Sequence, residues 1–184
     1  MPKVAVFVGS LRRDSINRRL AKALAKLAAP RLALSLVELG DVPMFNQDLE
    51  NDVPSPVLRI RSDVAEADAV LFVTPEYNRS VPPVLKNAID WVSRPYGKNG
   101  FAGKPASIVG TSGGQVGTAS AQNHLRSIAT VLTGPLMVQP EVYLVFKDGL
   151  IDANGDVSDE GTRTFLKGWT DAFAAHIGKH AKGS

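Results

Sequence analysis

Cysteine is missing from the 184-residue chain. Its absence excludes disulfide bonds, iron–sulfur clusters, thiolate metal ligands and catalysis by a nucleophilic cysteine. Any redox chemistry of this protein therefore has to come from a bound cofactor.

Long apolar runs and a secretion signal are missing as well. The N-terminus reads Met-Pro-Lys and then enters an apolar stretch of about five residues, which lacks the longer apolar region of a signal peptide. No run approaches the roughly 18 apolar residues that a membrane span needs. We therefore expect no membrane insertion and a cytoplasmic location.

Charge of one sign is not in large excess. The chain has 21 Lys and Arg against 18 Asp and Glu, which gives a formal net charge of +3. The basic residues are scattered, so the pattern does not favour a nucleic-acid partner, whereas a mild positive field suits anionic small ligands. The length, without repeats or low-complexity tracts, predicts one domain spanning residues 1–184.

Apolar segments alternate with helical patterns along the chain. The uninterrupted apolar run at residues 4–8 indicates a buried central strand, and Ser15 is a good N-cap for the helix that follows it. The predicted strands cover residues 4–8, 34–39, 69–73, 106–110 and 137–146. Five helices are predicted. The first runs from Ser15 to the break at Pro30, the second ends near residue 67, and the third starts at Pro82 and Pro83. The fourth runs from about 116 to 132, and the fifth from after 158 to about 177. Pro140 has no N–H group, which argues against an uninterrupted central strand in the last of the predicted strands.

Five strands that alternate with five helices predict an α/β fold. In this three-layer sandwich, helices cover both faces of a five-stranded parallel sheet, because right-handed crossovers place them there. The flavodoxin-like strand order 2-1-3-4-5 fits the alternation, and such sheets bind ligands at the carboxyl ends of their strands. The loops after strands one, three and four are therefore the candidate sites.

Loop 1, which we define as residues 9–17, joins the first strand to a helix N-terminus. Free backbone N–H groups meet the positive end of the helix dipole there. Ser10 and Ser15 add hydroxyl groups, and Arg12 and Asn17 add a guanidinium and an amide. This composition is typical of a phosphate site, although a capped, solvated turn has the same pattern. The P-loop and G-x-G-x-x-G patterns are absent, which disfavours ATPases and ordinary dehydrogenases.

Loop 3 (residues 74–82) and loop 4 (residues 110–117) complete the candidate edge. Loop 3 has a proline near each end and Tyr77 between them, so it can present backbone groups to a planar heterocycle with the tyrosine beside it. A proline-stiffened turn with a packed tyrosine is the alternative. Loop 4 is rich in glycine, which lets the backbone approach a ligand closely. Together the three loops predict a nucleotide-like ligand.

These segments together resemble one known family. They read Gly-Ser-Leu-Arg-Arg-Asp-Ser-Ile-Asn at residues 9–17, Pro-Glu-Tyr-Asn at 75–78, Ser-Val-Pro at 80–82 and Leu-Lys-Asn-Ala-Ile-Asp-Trp at 85–91. In this order they resemble the NADPH-dependent FMN reductase family and, within it, the bacterial chromate and quinone reductase branch. The resemblance covers essentially the whole chain, and the combination of motifs is highly specific.

The resemblance implies an FMN site built by the three loops. Loop 1 would hold the FMN phosphate, loop 3 would lie along the isoalloxazine, and loop 4 would lie on its far side. The implied cofactor-binding residues are Ser10, Arg12, Ser15, Ile16, Asn17, Pro75, Glu76, Tyr77, Asn78, Thr111, Ser112 and Gly113.

The resemblance also implies an activity. A member of this branch uses NADPH or NADH as co-substrate to reduce quinones, with chromate, azo compounds and nitro compounds as further acceptors, by hydride or two-electron transfer in ping-pong order. The flavin carries the chemistry, so no catalytic side chain is expected. Glu76 is either a candidate base or a structural hydrogen-bond partner. His124, His176 and His180 show no ligand spacing to one another, and no metal site is expected.

Members of the family are commonly dimers or tetramers with the flavin near a subunit interface. The resemblance therefore implies a homodimer or homotetramer, in which Arg94 and Tyr96 either line a neighbouring pocket or lie at the surface. Residues 118–123 fall in a stretch that varies within the branch, so subunit contacts there do not carry over.

Three other functions stay open on the residues alone. A flavodoxin-type electron carrier would bind FMN without oxidising a nicotinamide itself, but such carriers are typically acidic and have a Thr-rich phosphate loop. A receiver-type signalling domain needs clustered acidic residues after the first strand, where Gly9 and Ser10 stand. A nicotinamide-only dehydrogenase would use Glu38 for a ribose, but the chain lacks the glycine fingerprint.

Overall fold

A computed structural model describes residues 1–180 of the chain. The strands are β1 (Lys3–Val8), β2 (Ala33–Val37), β3 (Ala69–Val73), β4 (Ala106–Ser112), β5 (Leu136–Met137) and β6 (Tyr143–Val145). The helices are α1 (Ile16–Ala28), α2 (Ser55–Ala65), α3 (Pro83–Val92), α4 (Ala119–Leu132) and α5 (Glu160–His180), with a 3-10 helix at Gln47–Asn51.

The strands form a parallel sheet in the order β2-β1-β3-β4-β5, which confirms the predicted order. Val8 of β1 lies beside Val73 of β3, and Val73 lies beside Val109 of β4. β1 and β3 therefore end level with each other, and β4 continues past them to Ser112, so the loops that follow all three strands leave from one edge of the sheet.

The predicted fifth strand, residues 137–146, is divided in the structure. β5 pairs with Ala106 and Ser107 of β4, whereas β6 pairs with residues 110–112 of the same strand. The intervening segment contains Pro140, which has no N–H group to contribute to a ladder. The division agrees with the expectation that Pro140 does not permit an uninterrupted strand over residues 137–146.

Helices cover both faces of the sheet because the buried strands carry apolar side chains on both sides. Val4 and Val6 of β1 pack in the cluster that includes α1 and α5, and Phe7 packs in the cluster that includes α2, α3 and α4. Phe7, Phe72 and Phe101 form a group of rings with centroids 5.7–5.8 Å apart. Among residues 1–180, no helix is both long and apolar enough to cross a bilayer.

Helix α4 begins later than the predicted residue 116, and α5 continues to His180 rather than ending near 177. The late start of α4 has a local cause, since Gly117 and Thr118 adopt left-handed backbone conformations with φ of 57° and 71°. Helical residues need a negative φ, so the helix can begin only at Ala119.

Candidate functional site

Loops 1, 3 and 4 contact one another at the carboxyl edge of the sheet. A Cβ atom on Gly9 would lie 3.0 Å from Pro82 and 3.1 Å from Pro75, so loop 1 packs directly on both prolines of loop 3. Asn17 and Thr111 join loop 1 to loop 4 by a reciprocal pair of hydrogen bonds. Asn17 Nδ2 donates to the Thr111 carbonyl at 2.9 Å, and the Thr111 N–H donates to Asn17 Oδ1 at 3.0 Å.

Loop 1 presents unpaired backbone donors at the start of α1. Ser15 caps the helix by accepting a hydrogen bond from the Arg18 N–H at 3.2 Å, but the N–H groups of Ile16 and Asn17 have no acceptor within residues 1–180. The first turn of α1 contains no acidic residue. No carboxylate of the first turn offsets the partial positive charge of the helix N-terminus, and Asp14 lies just before the N-cap. The free N–H groups make this helix start suitable for an anion.

Side chains around this helix start add further donors and positive charge. Ser10 is buried, and its hydroxyl has no hydrogen-bond partner in the described part of the chain. Arg12 and Arg13 are exposed, and neither forms an ion pair with any residue from 1 to 180. A phosphate bound here would meet both backbone N–H groups and a free guanidinium.

Glu38, the candidate ribose ligand of the dehydrogenase alternative, is engaged by its own turn. Its Oε1 accepts hydrogen bonds from the N–H groups of Leu39 and Gly40, both at 3.2 Å, and Arg18 lies 3.5 Å from Oε2. The hydrogen bond from Gly40 is the main cause that lowers the pKa of Glu38, and the Arg18 charge adds to it. The carboxylate thus fits a strand-end charge rather than an open ribose site.

Loop 3 contains a tight β-turn at residues 77–80. Tyr77 and Ser80 exchange backbone hydrogen bonds of 3.1 and 2.9 Å, and the two residues between them, Asn78 and Arg79, have φ values of 49° and 66°. Positive φ at both central positions defines a type I′ turn, which favours Asn at the first and Gly at the second. Arg79 therefore holds a strained conformation, and such strain clusters at functional sites.

Two side-chain contacts anchor loop 3 to the first turns of α4. Glu76 Oε2 accepts a hydrogen bond from the Ala121 N–H at 3.1 Å, and Ser80 Oγ lies 3.1 Å from His124 Nδ1. The N-cap residue Thr118 makes no side-chain capping bond, so Glu76 caps α4 from another loop. Two roles were left open for Glu76, a base and a structural hydrogen-bond partner. The structure shows the hydrogen bond.

Loop 4 is shaped by close backbone contacts. A Cβ atom on Gly110 would lie 2.2 Å from Thr118 Oγ1 and 2.3 Å from the Thr74 carbonyl, and one on Gly117 would lie 2.6 Å from the Tyr143 carbonyl. Nothing lies within 4 Å of a Cβ atom built on Gly113, so this part of loop 4 faces open space.

All twelve residues predicted to bind the cofactor lie in the three loops at this edge, but their polar groups are used differently. Thr111 is buried, and its hydroxyl donates to the Leu144 carbonyl at 2.8 Å. Ser112 Oγ donates to the Gly114 carbonyl at 3.1 Å. Tyr77 is exposed. Thr111 and Asn17 therefore hold the backbone of the edge, whereas Arg12 and Tyr77 are exposed.

Arg94 and Tyr96 lie apart from the three loops. The Arg94 guanidinium lies over the Phe45 ring, 5.6 Å from its centroid, and the Tyr96 side chain is 94% exposed. Both residues thus lie at the surface of this chain, where either of the two sequence interpretations places them.

Sequence reasoning did not identify His124 as an anchor of loop 3 or Arg13 as a second free cation. The contact between Ser80 and His124 spans 44 residues, and no local pattern indicates it. The Arg12-Arg13 pair offered a signal for the second cation, since adjacent basic residues in a loop at a helix N-terminus are both available to an anion.

The model of the family described as NADPH-dependent FMN reductase matches residues 2–148. The chain belongs to the NADPH-dependent FMN reductase family. The match includes loops 1, 3 and 4, and it agrees with the resemblance carried by their motifs.

Several relatives in this family match the protein over nearly its whole length. The 2-hydroxy-1,4-benzoquinone reductase of Burkholderia sp is 49% identical over 175 residues, which are 95% of this chain and 96% of the relative. The quinone reductase of Escherichia coli (strain K12) is 38% identical over 183 residues, covering 95% of each chain. The solved structure of FerB, a flavoenzyme NAD(P)H:(acceptor) oxidoreductase from Paracoccus denitrificans, has a TM-score of 0.95 and 47% identity, and covers 99% of this chain and 100% of its own.

Proposed function

We propose that this protein is an FMN-dependent NAD(P)H oxidoreductase that reduces quinones. The observation that carries the proposal is the edge formed by loops 1, 3 and 4, where unpaired donors and a free guanidinium stand next to a stiff, anchored turn. The names of the relatives support the reductant and the acceptor, since they include a 2-hydroxy-1,4-benzoquinone reductase and an NAD(P)H-dependent FMN reductase.

Loop 1 fits the phosphate of FMN. The N–H groups of Ile16 and Asn17 would donate to its oxygens, and the hydroxyls of Ser10 and Ser15 would add donors at the same helix start. Arg12 would supply the compensating positive charge as a charge-assisted hydrogen bond. These are the donor types that a dianionic phosphate needs.

Loops 3 and 4 fit a planar ring system. The N–H groups of Glu76 and Asn78 have no acceptor within residues 1–180 and are free to bond a heterocycle edge, with Pro75 and Tyr77 beside it. On the other side, Ser112 and Gly113 would let the backbone of loop 4 approach the ring. Thr111 would act by fixing that backbone through its buried bonds.

When bound, FMN would accept a hydride from the nicotinamide and pass electrons to the acceptor. The chain's own part is to bind and orient both substrates at the open side of the edge. Because the Glu76 carboxylate accepts the Ala121 N–H, Glu76 would not serve as a dedicated proton-transfer group, and the protons would come from solvent. The two substrates would use the same face of the flavin in turn, in ping-pong order.

Several finer assignments belong to the same proposal. Chromate, azo compounds and nitro compounds are proposed as further acceptors, and exposed Arg12, Arg13 and Arg79 would attract an anion such as chromate. We also propose a single FMN-binding domain over residues 1–184 that acts in the cytoplasm, where NAD(P)H is available, as a homodimer or homotetramer.

The direct test is an anaerobic titration of the purified protein with NADPH and with NADH, followed by addition of a benzoquinone. We expect the flavin absorbance to bleach with the nicotinamide and to recover rapidly with the quinone. A yellow protein that stays oxidised with both nicotinamides would contradict the enzyme assignment and indicate an electron carrier. A colourless protein that takes up no FMN would contradict the cofactor assignment.

A further inference from the structure

Two histidines lie side by side at the end of α5. His176 and His180 are four residues apart, which places them on one face of a helix with 3.6 residues per turn. Their ring centroids are 4.7 Å apart, and both side chains are partly exposed. An interval of four residues is the one that places two metal-ligating histidines on one helical face, so the expectation that the histidines show no ligand spacing does not hold for this pair.

A backbone carbonyl fixes the tautomer of His176. Its Nε2 lies 2.8 Å from the carbonyl oxygen of Pro135. Because a carbonyl only accepts hydrogen bonds, Nε2 carries the proton and the lone pair of the neutral ring is on Nδ1. Histidines that bind metals usually donate their other ring N–H to a carbonyl or a carboxylate, which orients the ring and raises its basicity as a ligand.

The surroundings of His180 are compatible with a cation. His180 lines a groove of about 290 Å³ together with Glu66, Asp68 and Lys104. The two carboxylates bring negative charge, and Asp68 Oδ2 also accepts a hydrogen bond from the Lys3 N–H at 2.7 Å. The Lys104 ammonium, which donates to the Ala67 carbonyl at 2.5 Å, and the neighbouring Lys179 bring positive charge. Asp68 precedes β3 and Lys104 precedes β4, so the groove lies at the amino edge of the sheet, opposite loops 1, 3 and 4.

We propose that His176 and His180 bind one divalent transition-metal ion, with water completing its coordination. Two imidazole ligands select Cu²⁺, Ni²⁺ or Zn²⁺ over Mg²⁺ and Ca²⁺, which prefer oxygen ligands. Residues 1–180 contain no group of three or more His, Asp or Glu side chains arranged to hold a metal, so the site has two protein ligands and binds more weakly than a structural zinc site.

Metal binding here has a mechanical consequence. The ion would bridge two successive turns at the end of α5, while His176 keeps its hydrogen bond to Pro135, the residue directly before β5. An ion that binds the folded chain and not the unfolded chain raises the unfolding midpoint by mass action. The site would therefore couple divalent metal concentration to the stability of this end of the molecule.

The test is isothermal titration of the untagged, FMN-loaded protein with NiCl₂ and, separately, with ZnCl₂. We expect one ion per chain, an affinity that falls about 10-fold or more in both His176→Gln and His180→Gln, and no change in His124→Gln. Glutamine at 176 can still donate to the Pro135 carbonyl, so His176→Gln removes the ligand nitrogen and keeps the donor. MgCl₂ should give no saturable heat.

Thermal unfolding gives a second measurement on the same proteins. Ni²⁺ should raise the unfolding midpoint of the unmodified chain and of His124→Gln, and it should leave the midpoint of the double variant H176Q/H180Q unchanged. Binding that survives in H176Q/H180Q with the same affinity would overturn the proposal. Equal binding of Mg²⁺ and Ni²⁺ would also overturn it, because imidazole ligands cannot produce that result.

Discussion

Loop 1 and loop 3 differ in where their polar groups are used. In loop 1 the Ile16 N–H, the Ser10 hydroxyl and the Arg12 guanidinium have no partner within residues 1–180. In loop 3 the polar side chains of Glu76 and Ser80 are committed to α4. We call loop 1 without Asn17 the open end, because it has free donors and positive charge. We call loop 3, Asn17 and residues 110–111 of loop 4 the wall, because hydrogen bonds and close contacts hold them in place.

From this difference we predict which substitutions should lower the stability of the protein and which should lower its affinity for the ligand. Groups that already have protein partners stabilise the native structure, so their loss should lower the free energy of unfolding. Groups without partners stabilise nothing in the free protein, so their loss should weaken only the complex.

The largest effect on folding is expected at Gly110, in the wall. The Cβ atom of Gly110→Ala would lie 2.2 Å from Thr118 Oγ1 and 2.3 Å from the Thr74 carbonyl, so backbone has to move. We expect the free energy of unfolding in urea to fall by about 3 kcal/mol or more. Gly113→Ala, where nothing lies within 4 Å of the Cβ atom, is the matched control and should change it by less than about 0.5 kcal/mol. Equal losses in the two variants would refute the close contact.

Asn17 belongs to the wall although it lies in loop 1. Asn17→Asp removes the Nδ2 donor to the Thr111 carbonyl and places a carboxylate at a position that is 1% exposed. A negative charge at a helix start is favourable by up to about 1 kcal/mol, but the buried charge and the lost donor outweigh it, and we expect a net loss of about 2 kcal/mol in urea unfolding. Exposed Asn51→Asp should be nearly neutral. An Asn17→Asp protein as stable as Asn51→Asp would contradict the reciprocal pair.

Substitutions of Glu76 distinguish a structural hydrogen bond from a role in proton transfer. Glu76→Ala loses the acceptor for the Ala121 N–H and should cost about 1 kcal/mol of stability, most of which Glu76→Gln should restore because its amide oxygen can accept the same bond. Quinone reduction by Glu76→Gln should fall by less than about 10-fold. Loss of a proton-transfer group costs about 10²- to 10⁴-fold, so a drop of that size would make Glu76 a base.

The smallest expected effect is on how the free energy of unfolding falls at alkaline pH. Burial is the main cause that raises the pKa of Tyr143, and its hydrogen bond to Glu141 raises it further. The folded chain therefore keeps this proton longer than the unfolded chain. Stability is fully present below the ordinary tyrosine pKa of about 10 and falls as the pH rises through the folded pKa. Tyr143→Phe should flatten the decline above about pH 10 in urea unfolding, and an identical decline in both proteins would contradict this assignment.

Periodicity was sufficient to predict most of the fold. The apolar runs at residues 4–8 and 69–73 are buried on both faces, and right-handed crossovers then limit the order of the strands. The position of loops 1, 3 and 4 at one edge follows from that order. Local backbone geometry moved two of the predicted boundaries, since the left-handed residues before α4 delay its start and the segment with Pro140 divides the last strand.

The division of the site into an open end and a wall was not predictable from the sequence. Asn17 and Thr111 are 94 residues apart, and Glu76 and Ala121 are 45 residues apart. Side-chain hydrogen bonds of such separation depend on how the loops meet in space, and residue type alone gives the same donors whether or not they are used. Motif resemblance therefore indicated candidate residues, but not which of their polar groups already have protein partners.

The most direct test of the open end compares FMN with riboflavin, which lacks the phosphate, in binding titrations of the flavin-free protein. If loop 1 holds the phosphate, Arg12→Ala should raise the Kd for FMN by about 10-fold or more, the effect of losing a charge-assisted hydrogen bond, and leave the Kd for riboflavin unchanged. Arg79→Ala, which removes an exposed arginine of loop 3, should affect FMN far less. Equal weakening of FMN by Arg12→Ala and Arg79→Ala, or equal weakening of FMN and riboflavin by Arg12→Ala, would contradict the account.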